Sequence, residues 1–167
     1  MRRRTNSAAV PPDDLRGAKE YGLRLLTLRG RSEAEMARRL SRRGYDEVTV
    51  ERAVADLKAV GLLDDREFAQ AWVAGRLARG PAGRVRLLWE LRRHGVEAET
   101  ALAAVDEGLD PEAEFEAAWV WARKRAGEAP DREALGRLQA ALQRRGFERE
   151  IVREVIERLT RESDGSP

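Results

Sequence analysis

Apolar positions along this chain fall at helical spacing, and the pattern they make repeats. The motif Leu-x-x-x-Gly-apolar occurs as Leu40…Gly44-Tyr45, Leu91…Gly95-Val96 and Leu142…Gly146-Phe147, with the glycines 51 positions apart both times. Around these glycines the register holds: Met36, Leu87 and Leu138 correspond, as do Val50, Ala101 and Val152, and then Val54, Val105 and Ile156. A second motif, aromatic-x-x-x-apolar-apolar-x-x-Arg, occurs at Tyr21…Arg29, Phe68…Arg76 and Phe115…Arg123, spaced by 47. Repetition at a period near 50 is the signature of a repeat architecture, in which each unit buries its apolar face against its neighbours.

Each repeat reads as three helices. The first carries the aromatic motif, whose apolar positions i, i+4 and i+5 lie on one helical face. The second ends at the repeated glycine, where a left-handed residue costs glycine least. The third runs, in the first repeat, through Val50, Ala53, Val54 and Leu57, again one face of a helix. Starts are marked by Ser32 with Glu35, by Asp64 with Glu67, and by Asp110 before Pro111, the signals of side-chain capping and of proline at the first helical position. Ala126-Gly127-Glu128-Ala129-Pro130 reads as a loop, with Asp131 capping the helix after it. No stretch alternates as a strand would.

The expected fold is all-α: nine helices in three tandem three-helix repeats, stacked into an elongated curved array. The repeats span residues 17–61, 62–109 and 110–162. Residues 1–16, which are basic at their start, and residues 163–167 are expected to be mobile tails.

Composition narrows the setting. The 167 residues are 42% apolar and 37% charged, too apolar for wholesale disorder. There is no cysteine, so neither disulfides nor a thiolate metal site can form, and a reducing cytoplasm is the expected location. Met1-Arg2-Arg3-Arg4 is followed by no apolar stretch of signal-peptide length, and no run could span a bilayer. Net charge is only +2, although all but three of the 32 cations are arginine.

The residues offer little chemistry. His94 is the single histidine, and its place beside a helix-ending glycine suits a helix C-terminal partner or a solvated group better than a catalytic base. Asp64-Asp65 precedes an amphipathic helix, so capping explains the pair better than metal binding. No phosphate-loop lysine or dinucleotide fingerprint occurs. Trp72 and Trp119 share a repeat position on an apolar face and are expected in the core; Trp89 and Trp121 are left open between a seam and a partner surface. No catalytic activity, cofactor or metal is expected. One basic cluster stands out: Arg76, Arg79, Arg84, Arg86, Arg92 and Arg93 are relieved by a single acid, Glu90. Charge alone leaves open whether this is a solvated helical face or a patch for an acidic surface or a phosphate backbone.

The middle of the chain resembles the RecX family of regulatory proteins. The matching residues are Gly61-Leu62-Leu63-Asp64-Asp65-x-x-Phe68-Ala69, Trp72-Val73, Arg76, Arg79-Gly80-x-x-Gly83, and Glu90-Leu91-x-x-x-Gly95-Val96, joined upstream by Arg29-x-Arg31-Ser32-x-x-Glu35 with Leu40 and Gly44. The resemblance covers residues 18–105 well and 112–159 more loosely. It implies tandem three-helix repeats and a protein that binds the filament of the RecA recombinase on single-stranded DNA, limits filament growth and blocks recombinase activity. It further implies that the arginines of the middle repeat form the contact surface, with Gly61, Asp64, Asp65, Phe68, Trp72, Gly83, Glu90, Leu91 and Gly95 as structural signature. The expected partners are that filament and, directly, single-stranded DNA; no membrane partner is expected, and the protein is expected to be a monomer. A sequence-nonspecific single-stranded nucleic-acid-binding repeat protein is the alternative reading.

Overall fold

Helices account for most of the described residues in the computed structural model, which describes residues 10–127 and 130–163. Among them are nine helices and no strand: α1 (Leu15–Leu28), α2 (Glu33–Arg43), α3 (Glu47–Ala59), α4 (Asp65–Ala78), α5 (Arg84–His94), α6 (Ala98–Gly108), α7 (Pro111–Ala126), α8 (Arg132–Arg144) and α9 (Arg149–Ser163). The expected helix count is met. Most of the 1–16 and 163–167 tails, and Glu128-Ala129 of the anticipated loop, lie outside the described residues.

Caps set the helix starts. Ser32 Oγ accepts from the Glu35 N–H at 3.1 Å, Asp110 from Ala113 at 2.8 Å and Asp131 from Ala134 at 2.7 Å. Asp64 takes both the Arg66 and Glu67 N–H groups, at 2.8 and 3.1 Å. Asp14 and Asp46, not among the caps expected from sequence, serve α1 and α3 in the same way. Each satisfies a donor that the first helical turn would otherwise leave bare.

The 51-residue register is a burial register. Leu40, Leu91 and Leu142 are fully buried, as are Met36 and Leu87, with Leu138 close behind. Gly44, Gly95 and Gly146 all have positive φ, at 110°, 88° and 80°, and the apolar residue after each, Tyr45, Val96 or Phe147, is buried. The turn thus returns an apolar side chain to the core at once, and truncating any of the three leucines to alanine should cost about 2–5 kcal/mol.

The aromatic motif is less regular in space. Leu25 is buried in α1, Val73 rather than Trp72 is buried in α4, and Trp119 rather than Val120 in α7. The expectation that Trp72 and Trp119 share a core position therefore holds for Trp119 alone. Trp72 is half-buried because its indole N–H turns toward Glu90 Oε2 at 3.2 Å, a polar partner the core could not offer.

The chain separates into two compact bodies. One runs to Phe68 and takes in His94–Val96; the other comprises Ala69–Arg93 and everything from Glu97 on. In the first, Ala18, Leu25, Met36, Leu40, Val50, Ala53, Leu57 and Leu63 make one core. In the second, Ala118, Trp119, Ala122, Leu138, Leu142, Phe147, Val152, Val155 and Leu159 make another.

Candidate functional site

Three of the six arginines in the middle cluster are already committed to carboxylates. Arg86 Nε lies 2.7 Å from Glu90 Oε1, four residues along α5, and Arg76 Nε reaches Glu90 Oε2 at 3.6 Å from the end of α4. Arg84 pairs with Asp106, and Glu148 lies 4.0 Å from its Nε. Glu90 is the hub: burial would raise its carboxyl pKa, but hydrogen bonds from Arg86 and Trp72 and the charges of Arg76 and Arg86 outweigh this and hold it below the ordinary value.

Arg79, Arg92 and Arg93 are exposed. Arg79 Nε donates to the Gly75 carbonyl at 3.0 Å, and its guanidinium lies 6.0 Å from the Trp72 ring. Arg93 stands over Trp89 at 4.8 Å. Trp89 itself is half exposed, at 50%, and Arg86 stands over the same ring at 5.8 Å. Trp121 lies between two guanidinia, Arg125 at 4.3 Å and Arg145 at 4.0 Å.

The signature residues do structural work. Leu91 and Phe68 are buried, and Gly61 turns the chain at φ 71° with its N–H on the Lys58 carbonyl at 2.9 Å. Gly83 is required by proximity: its N–H donates to Arg145 O at 2.9 Å, and a Cβ there would overlap the Gly146 backbone. The same joint recurs 51 residues earlier, where Ser32 Oγ donates to His94 O at 2.5 Å and a Cβ on Gly95 would overlap Ala34. At both joints the start of one second helix meets the glycine turn that ends the next.

A carboxylate completes each joint. Asp65 accepts from the Glu33 N–H at 2.8 Å and Glu114 from the Arg84 N–H at 2.9 Å, and Glu33 and Arg84 are equivalent first residues of α2 and α5. Asp65 thus caps α2 rather than only its own helix. Burial, with nearby carboxylates adding to it, raises both pKa values above the ordinary range despite those hydrogen bonds. Glu35 does not fold back as a capping-box partner; it takes Arg29 and Arg31, which together outweigh its burial and lower its pKa. His94 is more enclosed than a solvated group: Nδ1 is 3.6 Å from Glu35, the ring meets Phe68 edge-on at 5.4 Å, and burial lowers its pKa.

Two cations missed in sequence join the cluster. Arg144 and Arg145 line a pocket of about 380 Å³ with Arg76, Arg79, Arg86, Gly80 and Pro81. The 51-residue register could have found them, since it aligns Arg144-Arg145 with Arg93-His94. Among the described residues no three His, Asp or Glu side chains are grouped to hold a metal ion, and no helix is long and apolar enough to cross a membrane.

Helical repeats joined cap to turn and carrying arginines on their surface define a helical-repeat protein. Family models for the first, second and third three-helix domains of RecX match residues 18–57, 64–105 and 112–156. The regulatory protein RecX of Amycolatopsis mediterranei (strain U-32) is 37% identical over 159 residues, covering 93% of this chain and 90% of its own length. That of Mycobacterium sp. (strain KMS) is 38% identical over 162 residues, covering 91% and 88%. The crystal structure of RecX from Lactobacillus salivarius superposes with a TM-score of 0.79 at 20% identity, covering 88% of this chain and 97% of that one. The chain belongs to the RecX family.

Proposed function

We propose that this protein is a non-catalytic, cytoplasmic regulator that binds the RecA–single-stranded DNA filament as a monomer and inhibits filament growth, ATP hydrolysis and strand exchange. The observation that carries the reading is the match to all three RecX domains in order, with relatives named as regulatory proteins aligned over nearly their whole length. The exposed arginines Arg79, Arg92 and Arg93 supply the contact; Arg76, Arg84 and Arg86, being engaged with Glu90, Asp106 and Glu148, act by holding the surface in shape. The test is DNA-dependent ATP hydrolysis by the cognate recombinase with and without this protein. Inhibition at stoichiometric ratios supports the reading; unchanged hydrolysis in excess over filament sites rejects it.

A second reading, direct binding of single-stranded nucleic acid, is favoured by the five-arginine pocket. Binding of a labelled oligonucleotide without recombinase, weakening steeply with salt, is its expected signature.

A further inference from the structure

Five arginines line the pocket, from three segments of the chain. Arg76 and Arg79 come from the end of α4, Arg86 from the first turn of α5, and Arg144 and Arg145 from the end of α8 and the turn after it. Glu90, outside the pocket lining, engages Arg76 and Arg86. Carbonyls hold two of the others: Arg79 Nε donates to Gly75 at 3.0 Å and Arg145 Nη1 to Ala141 at 3.5 Å. Arg86 Nη1 adds a 3.5 Å contact to the Arg144 carbonyl, tying α5 to the end of α8. Five arginines and no acid among the lining residues make a cationic hollow inside a single packed body.

From this geometry we infer that the pocket bounded by Arg76, Arg79, Arg86, Arg144 and Arg145 is a binding site for a phosphate group, supplied by a phosphodiester backbone or by free phosphate. Its volume of about 380 Å³ lies in the range of small-ligand sites, roughly 300–1,000 Å³, so a phosphate enters with its substituents. A planar carboxylate is satisfied by one or two guanidinia in its own plane, as Glu90 already is. A tetrahedral oxyanion presents acceptors on several sides and matches donors converging from three segments. Burial first, and then the neighbouring cations Arg125, Arg144 and Arg76, push the Arg145 pKa down. An anion in the pocket would relieve that repulsion.

The site rests on the direct nucleic-acid reading for the source of its phosphate, and needs no recombinase. The test uses the full chain and the double variant Arg79→Gln, Arg144→Gln, both side chains being exposed, with Arg144→Gln alone as a milder companion and Arg132→Gln, Arg161→Gln, exposed and outside the pocket lining, as a charge-matched control. Fluorescence anisotropy of a labelled short oligothymidylate at low salt should show roughly tenfold weaker binding by the pocket variant, and a salt slope reduced by about one per arginine removed. The control should lose markedly less. Broadening of the ³¹P resonance of inorganic phosphate by wild-type protein, lost in the pocket variant, assigns free phosphate as sufficient; an affinity loss without broadening assigns the backbone phosphate. Equal losses in both variants overturn the pocket while leaving nucleic-acid binding standing. Absence of any binding by the wild type overturns both, and displacement of the oligonucleotide by oligoglutamate as readily as by pyrophosphate makes the site a carboxylate reader and overturns it also.

Discussion

Ser32 Oγ donates to the His94 carbonyl at 2.5 Å while accepting the Glu35 N–H at 3.1 Å, so one hydroxyl caps α2 and fastens the glycine turn that ends α5. Ser32 is fully buried, and removing its hydroxyl strips a partner from both groups. Ser32→Ala should lose about 1–2 kcal/mol of stability in urea unfolding. A loss below a few tenths would mean that water replaces the hydroxyl at both ends.

Gly44 and Gly95 share a left-handed conformation but not a neighbourhood. Nothing lies near a Cβ built on Gly44, whereas one on Gly95 would overlap Ala34. Gly44→Ala should cost about 1–2 kcal/mol from backbone strain, and Gly95→Ala clearly more. The comparison is made by thermal unfolding of the two variants; equal costs would remove the joint between the 94–96 turn and α2 as a source of stability.

Glu90→Gln should destabilise by about 1–3 kcal/mol at neutral pH, since the neutral amide loses its charge-assisted bonds to Arg86 and Arg76. The folded-state pKa of Glu90 is depressed, so its contribution is present above the ordinary glutamate value and disappears as pH falls through the lower folded one. The gap between wild type and variant, tracked by denaturant unfolding across the acid range, should therefore close at low pH. A gap that stays constant would assign the loss to packing instead.

Asp65 has the opposite sign. Its folded-state pKa is raised, so the stability it contributes is complete below the ordinary aspartate value and declines as pH rises through the raised one. Asp65→Asn keeps an acceptor for the Glu33 N–H without the charge, and should equal or exceed wild type at neutral pH. Asp65→Ala should lose about 1 kcal/mol by baring that N–H. Unfolding of the pair at neutral pH decides between a charge role and a cap role.

Arg92→Glu with Arg93→Glu should leave unfolding within about 0.5 kcal/mol of wild type, as exposed substitutions do, while weakening inhibition of recombinase ATP hydrolysis. Arg93 stacks on Trp89, so intrinsic fluorescence reports directly on that contact. Unfolding of the variant would place these side chains inside the structure and withdraw them from the proposed contact surface.

The repeat was legible in sequence because burial is periodic. Leu40, Leu91 and Leu142 sit at one position of one helix, and any chain with that spacing must bury them together. The positive-φ glycines were legible for the same local reason, as were the caps at Ser32, Asp64, Asp110 and Asp131. The family signature could also be read, because it consists of these same turn and core residues.

The candidate site was legible only as a set of like charges. Six arginines within eighteen positions look alike in sequence, yet Arg76 and Arg86 are drawn to Glu90 and Arg84 to Asp106, while Arg79, Arg92 and Arg93 remain exposed. Local spacing fixes which residues share a helix face, since that depends on a few bonds of backbone. It cannot fix which charges meet across 50 residues of chain, since that depends on how the turn at Gly146 lies against Gly83. That backbone contact brings Arg144 and Arg145 beside Arg76, Arg79 and Arg86. The sequence alone thus determined the helices, their ends and the repeated core, while tertiary contact decided which cations are neutralised and which are left to face a partner.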